Sequence, residues 1–145
     1  MTAQRVVGDI MNHTVISCNA ATPLQEAIDL LQNERIHALV VVDGPGYLAG
    51  IFSQTDALRA WRAGSDYQGS MERPVGEVMT PSVVTCMPHI DVSRAARMLT
   101  QHKIHRLVVV EERNDGRVWP IGVLSQTDIV RELGEELVSA LEVSA

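Results

Sequence analysis

The sequence predicts an α/β fold of the α+β kind, made of two tandem β-α-β-β-α repeats. The chain of 145 residues is written twice, and each copy alternates short β-branched runs with stretches of helical spacing. The central run of each copy is apolar on both faces, as in a strand covered by helices. A shift of 68 residues lays Val7-Gly8-Asp9-Ile10-Met11 on Val75-Gly76-Glu77-Val78-Met79, and Val15-Ile16-Ser17-Cys18 on Val83-Val84-Thr85-Cys86. The same shift lays Ile36-His37-Ala38-Leu39-Val40-Val41-Val42 on Ile104-His105-Arg106-Leu107-Val108-Val109-Val110. After four extra residues in the second copy, Gly50-Ile51-Phe52-Ser53-Gln54-Thr55-Asp56 matches Gly122-Val123-Leu124-Ser125-Gln126-Thr127-Asp128.

In the first copy, Val15 to Cys18 reads as a short strand. Thr22-Pro23-Leu24-Gln25 reads as a capped helix start, with Pro in the first turn and Gln three residues after Thr. Leu24, Ala27, Ile28 and Leu31 then recur at helical spacing. Leu39 to Val42 forms the central strand, Gly44-Pro45-Gly46 turns the chain into Leu48 to Ser53, and Gln54 to Arg62 is a second helix. The second copy repeats this order, with Val92, Ala95, Ala96 and Leu99 on its first helix, a longer turn from Arg113 to Pro120, and a second helix starting near Gln126. The repeats are placed at residues 7–62 and 74–133, with a linker at 63–73 and a helical tail at 134–145. A copy of about 55 to 60 residues buries little core alone. The copies are therefore expected to pack on each other, most simply about a pseudo-twofold axis with two equivalent clefts.

Composition narrows the function classes. With 46% hydrophobic, 21% charged and 3% aromatic residues, the chain has the make-up of one soluble globular domain. Its longest uninterrupted apolar run falls far short of a membrane span, and Met1 to Gly8 has no signal-peptide core. The net charge of -6 and the scarcity of aromatics argue against a nucleic-acid surface. Any anionic ligand must meet a local cation cluster. Cys18 and Cys86, without CxxC spacing, fit small apolar strand-end residues and reduced thiols in a cytoplasmic protein. His13, His89 and His102 have no metal-ligand spacing, and no nucleophile, base and orienter set is present, so neither a metal nor an enzyme is expected.

The repeated Ser-Gln-Thr-Asp at a strand-to-helix junction admits two readings. It serves as a capping box, in which Ser and Asp satisfy each other's backbone amides. Alternatively the helix N-terminus and the hydroxyls of Ser53 and Thr55, or Ser125 and Thr127, hold a phosphate. Asp56 or Asp128 would then accept from the paired hydroxyls of a ribose. His37 and His105, just before the central strands, fit either packed neutral imidazoles or phosphate contacts. In the second copy Lys103, His105 and Arg106 form a cation cluster, whereas Ala38 replaces the arginine in the first.

This doubled pattern of VGD/EIM, VxxC, IHxLVVV and Gly-x-x-Ser-x-x-Asp resembles a pair of cystathionine-β-synthase (CBS) domains, the Bateman module, over about Val6 to Leu133. Lys103-Ile104-His105-Arg106-Leu107 is similar to a segment of the nucleotide-sensing γ subunit of AMP-activated protein kinase. The resemblance implies a stand-alone, non-enzymatic regulatory module that takes an adenosine-containing ligand and has no obligatory cofactor. It implies His105 and Arg106 on phosphate in the cleft with Ser125, Thr127 and Asp128, and Ile36, His37 and Ala38 at that cleft's adenine end. The backbones of Ile16 and Val84 would meet adenine edges, and the cleft around Ser53, Thr55 and Asp56 would hold phosphate less well. AMP, ADP or ATP rank ahead of S-adenosylmethionine, NAD(H) or a cyclic dinucleotide, and the alternative is a constitutive dimerisation scaffold without ligand. The resemblance also implies a homodimer through Ala57, Leu58, Trp61, Ile129, Val130 and Leu133, and an unidentified regulated protein.

Overall fold

The computed structural model describes residues 5–63 and 71–144, so residues 64–70 of the expected linker lie outside the described residues. The first copy contributes α1 (Val7–Ile10), β1 (Ser17–Asn19), α2 (Leu24–Asn33), β2 (Ala38–Asp43), β3 (Tyr47–Ser53) and α3 (Gln54–Ala63). The second contributes a 3-10 turn (Val75–Glu77), β4 (Thr85–Cys86), α4 (Val92–His102), β5 (Arg106–Glu112), β6 (Val118–Ser125) and α5 (Gln126–Ser144). The α/β class and the twofold β-α-β-β-α order are those read from the sequence.

Two three-stranded sheets result, ordered β1-β2-β3 and β4-β5-β6. The short first strand of each is parallel to the central one, with Ser17 opposite Val40 and Thr85 opposite Val108, while β2 and β3 run antiparallel. Leu39, Val40 and Val41, and Leu107 through Val110, are no more than 3% exposed, as their two-faced apolar pattern requires. Leu24, Ala27 and Leu31 of α2, and Ala95 and Leu99 of α4, bury the stripe that their spacing marked out. The start of α2 differs from expectation. Its N-cap is Pro23, without a side-chain cap, and the Thr22 hydroxyl instead accepts from Asn19 N at 3.2 Å. A backbone carbonyl replaces the cap, since Leu24 N donates to Arg73 O at 2.7 Å, and Val75 N donates to Thr22 O at 2.7 Å to hold the same segment in place.

The compact units are assembled across the repeats. One unit holds residues 5–15, Val84–Glu111 and 120–144, and the other holds residues 16–63, 71–83 and Glu112–Trp119. In the first unit, α1 is far too short to persist alone, and it is held by burying Val7 and Met11 among Cys86, Leu99, Leu107 and Leu124. Val7 N also donates to Ile90 O at 2.9 Å, and Gly8 N to Pro88 O at 2.8 Å. In the second unit Val75 does the same service, packed with Leu24, Leu39 and Phe52. The Glu112–Trp119 segment joins this second unit through a ring contact of Trp119 with Tyr47 at 4.9 Å and an ion pair of Arg117 with Asp43 at 2.8 Å. The Tyr47 hydroxyl donates to Asp115, which holds that carboxyl below the usual carboxylate range.

Candidate functional site

Each Gly-x-x-Ser-x-x-Asp signature begins with a glycine because another chain segment lies directly against it. A Cβ at Gly50 would stand 2.7 Å from both Met79 Sδ and Thr80 O, and one at Gly122 would stand 2.5 Å from Met11 Sδ and 3.0 Å from Asn12 O. The bare backbone permits antiparallel bridges between Ile51 and Thr80 in one unit, and between Asn12 and Val123 in the other. Thr80 and Asn12 are equivalent under the 68-residue shift.

Both Ser-Gln-Thr-Asp junctions form the capping box. Ser53 N donates to Asp56 Oδ2 at 2.9 Å while Asp56 N donates to Ser53 Oγ at 3.2 Å. Ser125 and Asp128 repeat both bonds at 2.9 and 3.2 Å. The first amides of α3 and α5 are taken as well, by His37 O at 3.1 Å and His105 O at 2.9 Å. Of the amides expected to face a phosphate, at most those of Thr55 and Thr127 remain, beside their exposed hydroxyls.

The two aspartates differ in load. Asp56 Oδ2 also accepts from the Ser53 hydroxyl at 3.0 Å, and its Oδ1 accepts from Thr80 Oγ1 at 3.1 Å and Arg59 Nη1 at 3.3 Å. Asp56 is 2% exposed. Asp128 has the Ser125 amide on Oδ2 and only Arg131 Nη1 at 3.6 Å from Oδ1, and its side chain is 17% exposed. Asn12 makes no such contact with Asp128 among the described residues, and its Oδ1 accepts from Thr14 N at 2.9 Å.

Arg106 follows His105 at the start of β5, one residue from the carbonyl that holds the Gln126 amide. Its guanidinium is partly buried and has no hydrogen bond or ion pair among the described residues, and desolvation lowers its pKa from the ordinary arginine value. A cation withdrawn from water without a counter-charge is costly unless an anion arrives. His105 and Lys103 are exposed, and Lys103 caps α4 in the left-handed conformation at φ 54°. Arg35 has the same φ of 54° at the equivalent place before Ile36 and His37. The His37 ring faces Gln54 Oε1 at 3.3 Å from Nδ1. Ile16 O accepts from Val40 N at 3.2 Å and Val84 O from Val108 N at 3.4 Å, so both carbonyls are already in the sheets.

The candidate residues thus fall into two sets. Val84, His105, Arg106, Ser125, Thr127 and Asp128 belong to one unit, and Ile16, Ile36, His37, Ala38, Ser53, Thr55 and Asp56 to the other. Thr80 and Arg59 were not among the residues singled out from the sequence. Their signal was present in the alignment of the copies, where threonine falls on asparagine, and in the Asp-x-x-Arg spacing on a helix. Of the residues expected on an exposed apolar face, Leu58, Trp61, Val130 and Leu133 are exposed. Ile129 is not: it is 5% exposed within the core around Cys86 and Leu124, and Ala57 packs partly against the other core. The exposed stripe extends along α5 through Leu137, Val138 and Leu141. Among the described residues, no helix is long and apolar enough to cross a membrane.

Two strand-to-helix junctions with this signature, on two three-stranded sheets, define a tandem CBS pair. The CBS domain model matches residues 7–63 and 75–135, and the chain belongs to that family. It is 31% identical over 127 residues to the CBS domain-containing protein YhcV of Bacillus subtilis (strain 168), covering 87% of each chain. It is 30% identical to inosine-5'-monophosphate dehydrogenase of Nitrosopumilus maritimus over 83% of this chain, which spans only 24% of that enzyme. Among solved structures it resembles CBSX2 in complex with AMP, with TM-score 0.71 and 28% identity over 97% of this chain and 99% of that one. It also resembles the CBS domain pair of protein MJ0100 in complex with 5-methylthioadenosine and S-adenosyl-L-methionine, with TM-score 0.76 and 26% identity over 90% and 97% of the two chains.

Proposed function

We propose that this CBS pair is a non-enzymatic cytoplasmic sensor of an adenine nucleotide that passes occupancy to a partner protein. The observation that carries the reading is the partly buried Arg106, without a hydrogen bond or ion pair among the described residues, next to the His105 carbonyl that holds the first amide of the helix bearing Asp128, a carboxylate whose Oδ1 accepts no hydrogen bond among them. A guanidinium supplies charge-assisted bonds to phosphate, and an aspartate accepts from ribose hydroxyls, so this unit carries one group for the phosphate and one for the ribose of a nucleoside monophosphate. The complexes of CBSX2 with AMP and of the MJ0100 pair with sulfur-containing adenosines support an adenosine ligand. Arg106 favours a phosphate over S-adenosylmethionine, whose sulfonium would meet a like charge. Ligand binding would shift the population of arrangements available to the pair, and the changed outer surface would be read by the partner. The exposed apolar residues of α3 and α5 suit assembly as a homodimer.

The test is a melting series of the whole protein with AMP, ATP, adenosine and S-adenosylmethionine, with mass read by light scattering. A ligand at about 100 times its dissociation constant adds about 2.7 kcal/mol of stability, which raises Tm by several degrees. AMP and ATP should outperform adenosine, and the mass should be that of a dimer. A flat response to every adenosine compound would favour the ligand-free scaffold, in which Ser-Gln-Thr-Asp is only a helix cap.

A further inference from the structure

The two junctions share the same four residues, yet they are not equally available. An ionised carboxylate offers about four lone-pair positions. Those of Asp56 are filled by the Ser53 amide, the Ser53 hydroxyl, the Thr80 hydroxyl and the Arg59 guanidinium, at 2.9, 3.0, 3.1 and 3.3 Å. Recognition of a vicinal diol needs two acceptor positions, and Asp56 has none to give without breaking bonds inside a side chain that is 3% exposed. Asp128 keeps both positions on Oδ1 clear of any hydrogen bond within the described residues, since Arg131 stands 3.6 Å away.

We infer that the Asp56 junction is occupied from within, with the Thr80 hydroxyl in the place of a ligand hydroxyl, so that each chain takes one nucleoside, at Asp128. Thr80 is the selector. It reaches Asp56 because Gly50 admits the Met79-Thr80 backbone against β3, and the bridge to Ile51 fixes its position through bonds of 2.9 and 2.8 Å. Asn12 occupies the equivalent place beside β6 and turns its side chain to its own loop, at Thr14 N. The difference between the two sites is therefore written outside the shared signature, in the segment that opens each copy. The inference rests on the proposed binding of adenosine compounds.

Calorimetry of the whole chain with adenosine and AMP as probes separates the two claims. The unaltered protein should bind one molecule per chain, and Asp128→Asn should abolish that binding. The double variant Thr80→Val, Arg59→Met keeps the β-branched shape and the backbone bridge while removing both donors, and it should bind two adenosines per chain. Its new site should hold AMP no more tightly than adenosine, because Ala38 stands where the other copy has Arg106. Two molecules per unaltered chain, binding that survives Asp128→Asn, or a folded double variant that still takes only one, would each overturn self-occupancy and leave the nucleotide reading standing. Failure of every adenosine compound to bind the unaltered chain would overturn both.

Discussion

Arg106→Leu separates a ligand-binding arginine from a structural one, because the two roles give opposite signs in the unliganded protein. A structural arginine is bonded to something, and its loss destabilises. Arg106 has no hydrogen bond or ion pair among the described residues, sits partly buried at the start of β5, and has its pKa lowered by desolvation. Replacing buried charge with a well-packed apolar side chain is neutral or stabilising by about 1–4 kcal/mol, and the partial exposure here selects the low end, about 1 kcal/mol. For a chain of this size that raises the Tm of the unliganded protein by about 2–4 °C. The same substitution removes a charge-assisted hydrogen bond of about 1.5–3 kcal/mol, weakening AMP by about 10- to 150-fold. Adenosine should be spared, and the AMP penalty should shrink as salt rises. Scanning calorimetry of the free protein and titration calorimetry with both ligands read the two effects. A lower Tm with unchanged AMP affinity would refute the reasoning and make Arg106 a support for the strand.

Two further outcomes follow from the cores. Burial pushes the Cys86 thiol up to about 11, so native Cys86 should resist a disulfide reagent at pH 8 and react once the protein unfolds. Because the folded pKa lies above the ordinary thiol value of 9.0, this thiol's contribution to stability is complete below about pH 9 and is lost as pH rises toward 11. Urea titrations should show a smaller alkaline loss in Cys86→Ala, and an identical loss would contradict the burial. Val7→Ala, at a residue 0% exposed, removes two carbons worth about 1.6 kcal/mol in transfer, and the cavity brings the cost to about 2–3 kcal/mol. Tm should fall by about 5–10 °C, whereas an unchanged Tm would mean that α1 is not part of the second copy's core.

Local pattern determined a good deal of this protein. The repeat, the strand-helix order, the two-faced apolar central strands and the Ser-x-x-Asp caps follow from periodicity and short-range hydrogen bonding, which neighbouring residues fix by themselves. The start of α2 already escaped that logic, because the Arg73 carbonyl accepts from the Leu24 amide in place of the Thr22 side chain. Only the tertiary structure decided which core α1 and the Val75–Glu77 turn would join, since a single apolar turn carries no address and its place is set by the cavity it fills. Ile129 likewise sits on a helix whose neighbours are exposed, and its inward position depends on the rotation of α5 against Leu99 and Leu124. The sharpest case is the pair of aspartates. Identical residues at 53–56 and 125–128 give both carboxylates the same local cap, and what separates their acceptor capacity is a hydroxyl supplied 24 residues along the chain by Thr80, where the other copy has an asparagine turned away. Acceptor capacity is a property of everything that reaches an oxygen, and no window of local sequence contains it.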